Sequence, residues 1–144
     1  MGASGRKTPQ PPGGGASGSP VVAVIEDDPS FRRALSRSLS LRGFRTDVFA
    51  SAEEFLRHEG ADHADCIVLD IHLGGMSGFE LQAELASRPS APPIIFITAF
   101  DDPATRQRAH EAGAAAYLQK PFDDKSLIDA IDRAARQPRG RGGS

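Results

Sequence analysis

Apolar and polar positions follow two rhythms along this chain. Short unbroken apolar runs stand at 21–25, 66–69 and 94–97, each followed by charged, hydroxyl or turn-forming residues. Runs of that length suit strands buried on both faces. Mixed stretches at about 44–49 and 115–119 predict two more. Between the strands the spacing becomes helical. Phe31, Ala34, Leu35, Ser38 and Leu39 share one face of a first helix, with Asp28-Pro29 as cap and first-turn proline and Gly43 at its end. Ser51-Ala52-Glu53-Glu54 is a capping-box pattern that opens a short helix ending near Gly60. A third helix follows Gly78, with Leu81 and Leu85 one turn apart, and Asp102-Pro103 opens a fourth that Gly113 closes. Leu127, Ile128, Ile131, Ala134 and Ala135 form the apolar face of the last. Five strand–helix units in succession predict an α/β fold, a parallel sheet with helices on both faces.

The flanks break this rhythm. Residues 1–20 are mostly Gly, Pro, Ser and Ala, and 137–144 read QPRGRGGS. Neither holds enough apolar surface to offset the entropy of ordering, so both are predicted to be disordered, leaving one folded domain at 21–136. Charge adds little: 17 basic against 19 acidic residues give a net of −2 and no electrostatic case for nucleic acid. The single cysteine, Cys66, sits inside an apolar run and excludes an intrachain disulfide or a cysteine-based zinc cluster. No apolar run approaches the roughly 18 residues of a membrane span. The start of the chain lacks the apolar core of a signal peptide, and a cytoplasmic location is expected.

The chemistry lies where the apolar runs stop. Glu26-Asp27-Asp28 follow the first strand, Asp70 the third, Thr98 the fourth and Lys120-Pro121 the fifth. Ligands of open parallel sheets bind beyond the carboxyl ends of the strands. Asp70, before a turn with several glycines, is the candidate nucleophile, since a carboxylate can attack phosphorus to give an aspartyl phosphate. Taken alone it reads first as a helix cap, because such caps are common. Glu26 and Asp27 beside it would create like-charge repulsion that a divalent cation relieves. Hard oxygen donors favour Mg²⁺ or Mn²⁺, with the His72 backbone carbonyl as a further ligand. Asp28 is assigned to capping the first helix. Lys120 supplies a point charge for phosphoryl oxygens, on a loop stiffened by Pro121, for which a cis Lys120–Pro121 bond is one way of aiming the ammonium. Thr98 and Ala99 offer a hydroxyl and a backbone N–H.

Glu26-Asp27, Asp70, Gly78, Thr98-Ala99 and Lys120-Pro121-Phe122 occur in the order and roughly the spacing of one family. From about 21 to 136 the chain resembles the receiver domain of two-component response regulators. The resemblance implies a flavodoxin-like doubly wound sheet of order 2-1-3-4-5. It implies that Asp70 accepts phosphate from a phosphohistidine on a histidine kinase or histidine phosphotransfer protein, with Asp27 as direct metal ligand. Glu26 stands where Asp is commoner, which leaves its contact with the ion direct or through water. Thr98 matches the switch hydroxyl and Tyr117 the switch aromatic; the bland alternative for Tyr117 is a half-buried core ring. A downstream protein, or a second copy on phosphorylation, would meet the face of helix 4, strand 5 and helix 5.

Two departures stand out. Gly74-Gly75 replace the usual proline, predicting a more flexible turn. Phe100, two residues past Thr98, places a ring where with His72 it can restrict the water that hydrolyses an aspartyl phosphate; a partner-contacting aromatic is the alternative. Arg32 and Arg33 are candidates for kinase docking or simply a solvated helix face. The expected function is self-catalysed phosphoryl transfer rather than turnover of a metabolite. The rivals are an interaction module without phosphorylation and an aspartate-nucleophile phosphohydrolase, which the short connections disfavour.

Overall fold

The structure is a computed structural model describing residues 19–58 and 63–136. The predicted arm at 1–20 (save its last two residues), the stop near Gly60 and the tail at 137–144 lie outside the described residues. Five strands, β1 Val21–Ile25, β2 Arg45–Phe49, β3 Cys66–Asp70, β4 Ile94–Thr98 and β5 Ala116–Gln119, alternate with five helices. These are α1 Pro29–Leu41, α2 Ala52–Arg57, α3 Gly78–Ala86, α4 Pro103–Glu111 and α5 Asp124–Ala135. All pairings are parallel and the strand order is β2-β1-β3-β4-β5, as the resemblance implied.

Within each continuous apolar run a period of two sorts side chains between two cores. Ala23, Ile25, Ile67, Leu69, Ile94 and Phe96 join Phe55, Phe79, Leu81 and Leu85 under α2 and α3. Val22, Val24, Cys66, Val68, Ile95 and Ile97 join Leu35, Leu39, Leu127 and Ile131 under α1 and α5. Burying a side chain of this size stabilises the fold by about 1.5–3 kcal/mol. That gain makes the register hard to slip, because a one-residue shift exchanges the two cores.

Capping chemistry sets the helix ends. Asp28 Oδ1 accepts from the amides of Ser30 and Phe31. At the other end Phe44 N–H reaches Leu39 O and Gly43 N–H reaches Ser40 O, with Gly43 at φ +92°. That pair of bonds is a Schellman motif, which needs the left-handed residue glycine provides. The same pattern closes α4 through Gly113 and Ala114. The capping box expected at Ser51 is only half formed: Ser51 Oγ accepts from Glu54 N–H, but Glu54 Oε1 accepts from Ala50 N–H, one residue before the cap. A complete box stands instead at Ser77 and Glu80 of α3.

Candidate functional site

The strand ladders continue past their apolar runs and carry the polar residues to one rim. Glu26 N–H donates to Phe49 O, Ile71 N–H to Ile97 O, and Lys120 N–H to Thr98 O at 3.0, 3.0 and 2.7 Å. Because the alternation also continues, Glu26, Asp70 and Lys120 follow the positions that face α1 and α5. Thr98 and Tyr117 follow the opposite face.

On the α1/α5 side, Lys120 Nζ lies 2.7 Å from Glu26 Oε1 and 2.9 Å from Asp70 Oδ2. It also sits 4.4 Å from the centre of the Phe31 ring, a cation–π contact. Glu26 Oε2 accepts from Asp28 N–H, and Asp70 Oδ1 accepts from His72 N–H. Glu26 and Asp70 are almost wholly buried, at 1% and 4% exposed, whereas Asp27 is exposed. Carboxylate oxygens of Glu26, Asp27 and Asp70 all lie within 4.8 Å of one another. The Lys120–Pro121 bond is cis.

Burial pushes the Glu26 carboxyl up to about 7, against the Lys120 and Asp28 hydrogen bonds and with help from the Asp70 charge. Burial pulls on the Lys120 ammonium in the opposite direction, but its bonds to Glu26 and Asp70 outweigh that pull and hold it above its ordinary value. Lys120 therefore keeps its charge. With all three carboxylates ionised, one ammonium leaves an excess of negative charge that a divalent cation fits. The donor set is all hard oxygen, which suits Mg²⁺ or Mn²⁺.

On the other side, Thr98 is fully buried and its Oγ1 accepts from Phe100 N–H at 3.0 Å. Tyr117 packs against the α2/α3 core. Its hydroxyl donates to Asp101 Oδ1 at 2.9 Å, and Asp101 Oδ2 accepts from Arg106, whose guanidinium lies 4.7 Å from the Tyr117 ring centre. The phenol is raised to about 12, first by burial and then by the Asp101 hydrogen bond. The Phe100 and His72 rings meet edge to face at 5.1 Å across the two loops.

A family model described as the response regulator receiver domain matches residues 22–132. The chain belongs to the response regulator receiver family. Nodulation protein W of Bradyrhizobium diazoefficiens is 41% identical over 88% of this chain and 56% of its own length. Response regulator protein TmoT of Ectopseudomonas mendocina is 34% identical over 81% of this chain and 53% of its own length. This receiver chain thus spans about half the length of the curated relatives it matches. Among solved structures, a receiver protein from Burkholderia phymatum is 41% identical over 81% of this chain and 95% of that one, with a TM-score of 0.72. FixJ-N is 32% identical over 83% and 95%, with a TM-score of 0.75.

The receiver fold brings together Glu26, Asp27, Asp70 and Lys120, and Asp28 caps α1 as expected. Two residues of the sequence reading have further partners here. Arg32, a candidate for kinase docking, donates from Nη1 to Glu26 O at 2.8 Å, at the end of β1. In the Gly74-Gly75 turn, expected to be flexible, Glu53 Oε2 accepts from Met76 N–H at 2.8 Å. Sequence reasoning missed Phe31 beneath Lys120, and Asp101 on Tyr117. Asp101 is two residues before a helix start and carries no motif; Phe31 was legible only as a helix core position. Among the described residues no helix is long and apolar enough to cross a membrane.

Proposed function

We propose that this receiver is a cytoplasmic phosphorylation switch in which Asp70 accepts a phosphoryl group from a phosphohistidine of a histidine kinase or phosphotransfer protein. The observation that carries the reading is Lys120 Nζ seated between the Glu26 and Asp70 carboxylates, with the exposed Asp27 alongside. A carboxylate oxygen of Asp70 attacks phosphorus, the P–N bond breaks, and the imidazole nitrogen leaves with the electron pair and takes up a proton. Asp27, Asp70, Glu26 and the His72 carbonyl would hold Mg²⁺, which neutralises charge on the transferring group. Lys120 can follow the phosphoryl oxygens while remaining charged. The Thr98 hydroxyl, now on the Phe100 amide, can exchange that partner for a phosphoryl oxygen, and Tyr117 moves with it. The partner surface that responds is the α4–β5–α5 face, for a downstream protein or a second copy. Relatives named as transcriptional regulatory proteins support a signalling role of this kind. The transfer is self-catalysed and the chain is not a turnover enzyme.

Incubation with Mg²⁺ and phosphoramidate or acetyl phosphate tests this. The expected product is a base-labile phosphate on the wild type, absent in Asp70→Asn and absent in chelator. Continuous release of phosphate from varied monoesters would support a hydrolase instead. Neither incorporation nor Mg²⁺ binding would support an interaction module.

A further inference from the structure

The loop from Ile71 to Ser77 joins the phosphoacceptor strand to α3, and its two ends are fixed. Gly78 N–H donates to Ile71 O at 2.9 Å. A side chain at Gly78 would stand 2.6 Å from the backbone oxygen of Asp70, so α3 begins in direct contact with the end of β3. Near the start of the loop, His72 N–H holds Asp70 Oδ1 and Leu73 is buried. The middle has no such support from its own sequence, because Gly74-Gly75 contribute no side chain. Support comes from 23 residues away. Glu53, in the first turn of α2, accepts the Met76 amide at 2.8 Å. Gly75 sits at φ +75°, and a Cβ there would fall 2.7 Å from Glu53 Oε2. The glycine and the glutamate therefore fit as a pair: the missing side chain makes room for the carboxylate that ties the next peptide.

We propose that Glu53 is a positioning residue for the acidic site, its carboxylate tying the Gly75–Met76 segment to α2 and so fixing the loop that carries the His72 amide and carbonyl. Glu53 touches neither the metal site nor the phosphoacceptor. It acts through the loop, and the inference rests on the reading that this loop contributes to Mg²⁺ binding.

The test compares Glu53→Ala with Glu53→Gln by calorimetric Mg²⁺ titration and by hydrogen exchange at the Met76 amide. Both variants remove the same charge from the first turn of α2, so an effect through charge alone moves both equally. Only glutamine keeps an oxygen acceptor at the same reach. Glu53→Ala should weaken Mg²⁺ binding about tenfold, the low end of the effect seen when a partner of a metal ligand is lost. It should also deprotect the Met76 amide, while Glu53→Gln recovers most of both. Wild-type Mg²⁺ affinity in Glu53→Ala overturns the proposal, as does equal weakening in the two variants. An unprotected Met76 amide in the wild-type protein overturns it without any variant. Absence of Mg²⁺ binding by the wild type overturns the receiver-switch reading itself, and this inference with it.

Discussion

The two sides of the rim come from opposite faces of one sheet and are held by different forces. On the α1/α5 side, Glu26, Asp70 and Lys120 are joined by short bonds inside the protein, with their carboxylates almost fully excluded from water. On the α2/α3 side, Thr98 is equally buried, yet the tyrosine beyond it is tethered by Asp101, itself paired with an Arg106 side chain that is 56% exposed. Charges held out of water depend strongly on one another, whereas surface pairs contribute little and are easily rearranged. The first side is built to hold a geometry and the second to give one up. That division suits the switch proposed above, in which chemistry is held in place and readout moves.

Removing the cation from the buried side should give the largest effect. In Lys120→Met two buried carboxylates face each other with no cation between them, each keeping one backbone N–H. Loss of one preorganised charge aimed at a transferring group costs about 100-fold or more in rate, so labelling by phosphoramidate should slow by at least that factor. Stability gives an independent reading in chelator. Glu26 holds its proton up to about pH 7 in the folded chain, above its ordinary range, so the folded state binds a proton that the unfolded chain has released. Stability of the metal-free protein therefore falls as pH rises from the ordinary glutamate range through 7. Lys120 opposes that rise in pKa, so the methionine variant should lose more stability across the same window, seen as a larger drop in melting temperature between pH 5 and 8 (about 1–3 kcal/mol on burying an unpaired charge with some solvent access). Equal pH profiles for the two proteins would mean that the three groups are not one network.

The buried side was also the more legible in the sequence, and for a physical reason. A parallel strand buried on both faces must be apolar, so the first charged residue after it marks the rim; Glu26 and Asp70 announce themselves by interrupting such runs, whereas Lys120 follows the partly buried edge strand β5. Their mutual contact follows from parallel pairing, which aligns the strand ends. On the other side Thr98 ends the apolar run of β4 in the same way, but the groups that hold Tyr117 give no such signal. Asp101 is an ordinary loop acid until Tyr117 and Arg106 are folded against it, and Glu53 meets Met76 only after α2 packs beside the β3–α3 loop. Strand 2 is the intermediate case: Arg45–Phe49 is an edge strand with a mostly exposed pattern, so its bounds were legible only to within a residue.

His72 and Phe100 bridge the two sides, one from each, and removing either ring should have a smaller effect than losing the cation. An edge-to-face aromatic pair is worth about 0.5–1.5 kcal/mol, which as a barrier to water entry converts to at most about tenfold in rate. Phe100→Ala and His72→Ala should each shorten the lifetime of the phosphorylated protein by no more than that. The double variant should match the single ones, since each already breaks the pair. Unchanged lifetimes would leave Phe100, 65% exposed, as a ring for a partner rather than a screen against water.

The tether on Tyr117 should give the smallest effect and the most specific one. Tyr117 is the single tyrosine of a chain without tryptophan, so tyrosinate absorbance and intrinsic fluorescence report on it alone. Its phenol is raised to about 12, with burial the larger cause and the Asp101 carboxylate the next. The folded chain thus keeps a proton that the unfolded chain loses near pH 10, and stability falls as pH rises from 10 through 12. Asp101→Asn keeps a hydrogen-bond acceptor but removes the negative charge and the ion pair with Arg106. The tyrosinate transition should then move down only part of the way towards 10, because burial persists. Melting temperature near neutral pH should barely change, as expected for a surface pair. If instead the transition stays at about 12 in Asp101→Asn, burial alone holds the phenol and the exposed side has no electrostatic tether. If it falls fully to 10, the ring itself has left the core, and Asp101 is what keeps Tyr117 packed against β4.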